Sequence, residues 1–243
     1  MQNTTDVALS RLMTQSRALD VIASNLANAT TPGYRAERSL FTVWLSRQPG
    51  GGPVAFPQDR ATYRDAAPGP QRVTGNPLDL AIGDPSGWFT VQTARGPRLT
   101  RAGHFQLDAG GTIVDAAGDA LLDANGHPLQ TAPGDTRLAI TADGTVASQN
   151  GPIGRIGVVR PAQESALSAE GGTLYAAATP TSPVAQPRIV QGAIEDSNVQ
   201  PIREVTEMMQ GLREFQLASQ MIQAESDRQT AAIGKILPQS AQG

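Results

Sequence analysis

Apolar residues recur at three- and four-residue steps near both ends of the chain and at two-residue steps between them. Leu9, Leu12, Leu19, Ala23 and Leu26 keep the three-four alternation with Ser16 interrupting it, and Val7 and Ile22 widen the face. That spacing predicts an amphipathic helix with a narrow seam. The run beginning "PIREVTEMMQGLREFQ" repeats the pattern with Val205, Met208, Leu212, Phe215 and Ile222, Ser219 being the gap. Pro201 suits the first turn of this second, longer helix, with Ser197 or Asn198 as its cap.

Between the helices, "ARGP", "DAGG", "DAAG", "DANG", "ADG" and "QNGP" separate short runs such as "LDLAI", "GWFTVQT", "TIVD" and "RIGVVR". Frequent turn signals between alternating runs predict an antiparallel β domain. Residues 46–77 are rich in Pro and Gly and read as an extended connector with little packing of its own. The expected layout is an N-terminal helix (1–30), a turn and extended Pro/Gly-rich arm (31–75), an antiparallel β domain (76–190) and a C-terminal helix (191–243), an α+β chain. The helices could pack on the β domain in an ordinary α+β fold. A narrow seam, however, suits a coiled-coil partner better than a broad sheet, and a lone helix pair buries too little to offset its ordering entropy. Further copies of the helices are therefore expected.

The stretch "SNLANATTPGYRA" closes the first helix and sets Asn25 and Asn28 among Leu and Ala, against helix propensity. Two explanations stand side by side. The amides fix register or cap backbone groups against neighbouring subunits, as a buried Asn does in a coiled coil, or they fray and cap the helix end. Pro32 and Gly33 then suit the second and third positions of a type II turn, where Gly supplies the positive φ.

Composition narrows the function classes. The 243 residues are 39% hydrophobic and 4% aromatic, with 25 Gly and 18 Pro, which favours many turns and short elements. A net charge of -3 without a basic block argues against nucleic acid, and no run approaches a membrane span, so no lipid insertion is expected. The first twenty residues lack a basic segment leading into a continuous apolar one, so no ordinary secretory signal is expected. The absence of cysteine removes disulfides, thiolate nucleophiles and Cys-ligated zinc.

His104 and His127 have no metal-ligand spacing, and Asp123, Asn125 and His127 in "DANGHP" lack the remaining ligands of a calcium loop, so a β-turn is the plain reading. Glu164, Glu170, Glu195 and Asp196 could be imagined as an acid/base pair, but surface solvation is their usual explanation. No nucleophile elbow, phosphate loop or dinucleotide fingerprint occurs. No catalytic residue, cofactor or metal site is expected.

"ALDVIASNLANATTPGYRAER" resembles the N-terminal signature of the flagellar rod and hook proteins, and "IVQGAIEDSNVQPIREVTEMMQGLREFQLASQMIQ" resembles their C-terminal signature. "TGNPLDLAI" and "TRAGHFQLDAGGTIVDAAG" are similar to the motifs of their β domain. The start of the chain, "VAFPQDRATYRDAAPGP" and the overall length are nearer to the proximal than to the distal rod members. "IGDPSGWF" departs by a turn one residue longer, and Ile194 stands where Leu is common.

The resemblance implies a non-enzymatic structural subunit of the basal-body rod that crosses the periplasm. It also implies partners among other copies of itself and neighbouring rod proteins, and delivery by the flagellar type III export apparatus. Both terminal helices would lie in the inner tube, with Leu9, Leu12, Leu19, Ile22, Asn25, Leu26, Asn28, Val205, Met208, Leu212, Phe215 and Ile222 at subunit interfaces. Gln216, Gln220 and Gln223 form a stripe whose plain reading is a solvated face and which, in such a tube, would line the lumen. A reading from a different class is a periplasmic β-domain binding protein that its helices merely dimerise. Few aromatics besides Trp88, Phe89, Phe105 and Tyr175 lie in the β region to serve it, and Trp88 and Phe89 are expected in the core.

Overall fold

The computed structural model describes residues 2–46, 54–135 and 137–236. Among the described residues, two α-helices, α1 (Gln2–Ala27) and α2 (Pro201–Ile236), flank eighteen strands and one short 3-10 turn, Glu164–Ala166. The chain divides into two compact units, one of the helices with residues 37–63, the other of residues 27–36 and 64–199.

In the first unit, strands β1 (Glu37–Ser46) and β2 (Val54–Arg64) form a two-stranded ribbon. The stretch expected to be an extended connector is thus partly paired, because "LFTVWL" and "RATYR" supply the β-branched and aromatic residues that favour strands. Residues 47–53 of that connector lie outside the described residues. The helices of this unit are antiparallel neighbours. Gln15 Nε2 donates to Glu214 Oε2 at 2.9 Å, Leu19 lies against Gly211, and Asn25 Nδ2 donates to Glu204 Oε2 at 3.2 Å, so rising numbers on α1 meet falling numbers on α2. At Gly211 an added Cβ would stand 3.0 Å from the Leu19 side chain, so the small residue sets how closely the helices approach. The helix begins after Gln200, whose carbonyl accepts the Glu204 N–H at 3.0 Å. Ser197 and Asn198, expected as caps, lie too far upstream and bond elsewhere.

The second unit is a β structure built around the strand Trp88–Thr93, which pairs antiparallel with Gly96–Thr100, Ala120–Leu121 and Val158–Pro161. Alternation along this strand sends its side chains to two faces. Phe89 and Val91 enter the main core with Leu80, Phe105, Ile113, Leu121 and Ile156, whereas Trp88 joins Leu99, Leu167 and Tyr175 on the other side. Edge-to-face ring pairs, Phe89–Phe105 at 5.5 Å and Trp88–Tyr175 at 5.1 Å, fix both clusters. The β unit exceeds its expected span, because Gln71–Val73 pairs with Ala193–Glu195 and closes it from both ends.

Three successive hairpin turns share the pattern Asp-Ala-x-Gly-x. Asp108 Oδ1 accepts from the N–H groups of Gly110 and Thr112, Asp115 Oδ1 from those of Ala117 and Asp119, and Asp123 Oδ1 from those of Asn125 and His127, all at 2.7–2.9 Å. The aspartate satisfies turn amides that no strand partner reaches, and the glycine beside it supplies positive φ, +79°, +89° and +86° in turn. "DANGHP" is one of these turns.

Candidate functional site

Asn25 lies in the last turn of α1 and is fully buried. Its Oδ1 accepts from Glu37 N–H at 2.8 Å, and its Nδ2 donates to Glu37 O at 2.9 Å. The carboxamide therefore pairs with Glu37 as a peptide group of a neighbouring strand would. An aspartate has no donor for this, and an apolar residue has neither partner. The same Nδ2 reaches Glu204, the acidic residue in the first turn of α2, where the helix dipole favours a negative charge. Arg38 Nη1 stands 2.8 Å from the Glu204 carboxylate and 3.7 Å from that of Glu207. Each of these contacts lies within the helix-and-ribbon unit. Asn28, half-buried beyond the end of α1, accepts from Thr31 through Oδ1 and through its backbone carbonyl.

The turn after α1 belongs to the β unit. Tyr34 N–H donates to Thr31 O at 3.2 Å across Pro32 and Gly33, and Gly33 takes φ +72°. A Cβ at Gly33 would stand 2.3 Å from the backbone at Arg101 and Ala102, so close approach and handedness both require glycine.

A buried charged layer lies beside that turn. Arg101 Nε donates to Glu195 Oε2 at 2.9 Å, its Nη2 forms a second, short contact with the same oxygen, and its Nη1 donates to the carbonyls of Asp84 and Gly87. Glu195 Oε1 accepts from Gly69 N–H, and Gly33 N–H donates to Glu195 O at 2.7 Å. Arg35, equally buried, donates to Pro85 O at 2.7 Å and stacks over the Trp88 ring at 5.1 Å. Burial first, then the charge of Arg101, pushes the Arg35 guanidinium below its ordinary value, with Glu195 and Glu164 opposing. The two arginines clamp the carbonyls of the lengthened "IGDPSGWF" turn. Glu195, expected to be solvated, is instead the centre of an ion-pair network. Period-two alternation already put it on the face of buried Ala193, and that was the available signal.

The interface residues expected on the helices separate into two sets. On α2, Met208, Phe215 and Ile222 are half-buried on the flank of Gly211, whereas Val205 and Leu212 are exposed. Residues three apart lie about 60° apart around a helix, so the two heptad-spaced sets, 205 and 212 against 208, 215 and 222, fall on two flanks. Val205 and Leu212 fall in line with Ile202, 85% exposed, and Met209. Gln216 and Gln223 continue that alternation, and with Gln220 all three are exposed. On α1, Leu12, Leu19, Ile22 and Leu26 are half-buried, and Leu9 is exposed together with Met13. Among the described residues no helix is long and apolar enough to cross a membrane.

The stretches that carry this geometry are those that match known families. The model of the flagella basal body rod protein matches residues 6–35, which include Asn25, Gly33 and Arg35. That of the flagellar hook protein FlgE/F/G D1 domain matches 84–148, which include Arg101, and the flagellar basal body rod FlgEFG protein C-terminal model matches 190–234, which include Glu195 and Glu204. The flagellar basal-body rod protein FlgF of Caulobacter vibrioides is 34% identical over 97% of this chain and 98% of its own, and that of Mesorhizobium japonicum 33% identical over 96% and 97%. The flagellar basal-body rod protein FlgG of Bacillus subtilis is 31% identical over 84% of this chain and 88% of its own. With such identity along nearly the whole length and the matched stretches meeting in the network above, the chain belongs to the flagellar basal-body rod protein family.

Proposed function

We propose that the protein is a structural subunit of the bacterial flagellar basal-body rod, polymerising through its terminal helices into a hollow helical shaft across the periplasm. The carrying observation is the apolar flank of α2, where Ile202, Val205, Met209 and Leu212 lie exposed at three-four spacing. A stripe of that spacing is suited to another helix. Leu9 and Met13 supply exposed apolar surface on α1. Similarity over nearly full length to two FlgF proteins favours the proximal position, and the same reading includes delivery by the flagellar type III export apparatus. An epitope inserted at the exposed Gln149–Asn150 turn should be found in purified basal bodies, at the proximal end of the rod. Its recovery free in the periplasm, with rods complete without it, would refute the assignment.

The same flank passes from apolar in its first half to amide-bearing at Gln216, Gln220 and Gln223. In this reading the first half packs on a neighbouring subunit and the second lines the channel, where uncharged amides hold a passing chain less than a ring of like charges would. Replacing the three glutamines by Leu should leave rods intact and slow the export of hook and filament subunits. Normal export through such rods would count against a lumenal stripe.

A further inference from the structure

Over residues 9–26, 37–40 and 200–232 of the helix-and-ribbon unit, the buried side chains are Asn25 and Glu204, each 0% exposed, and both are polar. Over those residues the apolar contacts of the helix pair, Leu19 against Gly211 among them, are half-buried, so the fully buried polar contact is where a change of register costs most. We infer that Glu204, acting through Asn25 and Arg38, is the positioning residue that locks the axial register of α1 against α2 and fixes both to the start of β1.

The chemistry supports a lock rather than a general adhesive. The Asn25 carboxamide is committed to both backbone groups of Glu37, so its position is set by the ribbon, and Glu204 must come to it. Displacing α2 by one turn would leave a buried carboxylate without Asn25 and Arg38 and would leave Arg38 without Glu204. Slippage is thereby penalised at one level, and the rest of the pair, Gln15 with Glu214 and Leu19 with Gly211, follows in step. The inference rests on the rod reading only for its purpose, which is to present the exposed apolar positions of both helices at one fixed offset.

The chain contains no cysteine, so disulfide trapping reports register without background. In the purified full-length chain, Gln15→Cys with Glu214→Cys samples the observed register, and Gln15→Cys with Ala218→Cys samples α2 displaced by about one turn. A hydrogen bond to a charged group is worth about a decade or more in an equilibrium constant, so the first pair should trap at least about tenfold more than the second. Glu204→Ala should bring the ratio close to one. Asn25→Asp, which removes the donor and faces Glu204 with a second carboxylate, should do the same, and Glu204→Gln should fall between. An unchanged ratio in Glu204→Ala, or equal trapping in the parent chain, would overturn the inference. Loss of amide protection at Val91 in Glu204→Ala would make the residue a general folding determinant and overturn it as well. None of these measurements needs a rod, so their failure leaves the rod assignment standing, and absence from basal bodies leaves the lock standing.

Discussion

The β unit has an extensive apolar core, whereas the described side chains of the helix-and-ribbon unit leave large apolar residues half-buried or exposed. The β unit encloses an apolar core and a charged layer whose arginines and glutamate bond one another and nearby carbonyls. The helices keep Leu9, Met13, Met209, Leu212, Leu217 and Met221 at the surface and bury an amide and a carboxylate. Apolar burial supplies most of the free energy of folding, at roughly 25 cal/mol per Å². The β unit therefore has the means to fold by itself, and the exposed apolar side chains of the helices are the surface on which further burial would stabilise them. A subunit of a polymer needs both kinds of region.

Breaking the helix side should have the largest effect. Leu212→Asp should abolish rod formation and motility while the β unit stays folded. Full burial of a leucine contributes about 1.5–3 kcal/mol, an unpaired carboxylate there costs more, and the penalty recurs in every subunit. Motile cells with normal rods built from this variant would show that the flank is not an interface. Breaking the β side should have a large but local effect. Arg101→Ala leaves Glu195 buried without its principal cation and should lower the stability of the β unit by about 3–5 kcal/mol in a denaturant titration. A loss below about 1 kcal/mol would mean that the network is not closed as described.

The turn between the two regions gives a finer test. Gly33→Val imposes a β-branched side chain at φ +72° and against backbone, and should destabilise the β unit by about 1–3 kcal/mol or more. Thr31→Ala removes a 3.2 Å hydrogen bond to Asn28, about 0.5–1.5 kcal/mol at most. Equal melting temperatures for the two variants would rule out a steric requirement for glycine.

The smallest effect should come from pH. Hydrogen bonds from Arg98 hold the Glu170 carboxyl below its ordinary value; burial opposes them, and the charges of Arg95 and Arg98 add smaller support. A carboxyl depressed on folding contributes stability that is present above its unfolded pKa of about 4.3 and is lost as pH falls through the lower, folded value. Arg98→Gln should flatten that part of the acid limb while leaving stability at neutral pH little changed, because the site is solvent-screened. Parallel acid limbs in parent and variant would show that the pair carries no linkage.

Periodicity was enough to read the helices, the turn-rich β centre and the core placement of Trp88 and Phe89, since each follows from local spacing that packing did not override. The pairing of Glu37–Ser46 with Val54–Arg64 was obscured by the Pro and Gly between them, and the strand Gln71–Val73 by its partner lying some 120 residues later. No local pattern specifies a contact across that separation.

The sequence by itself determined that a helix ends at the asparagines, that a glycine must turn the chain there, and that the termini carry apolar stripes at helical spacing. Only the tertiary structure decided that Asn25 turns inward to the ribbon and Glu204, that Glu195 is buried against Arg101, and that Leu212 and Met208 part onto different flanks. The reason is physical. Spacing along a helix or strand fixes which face a residue shares, but whether that face meets water, backbone or an opposite charge depends on segments brought together from distant parts of the chain.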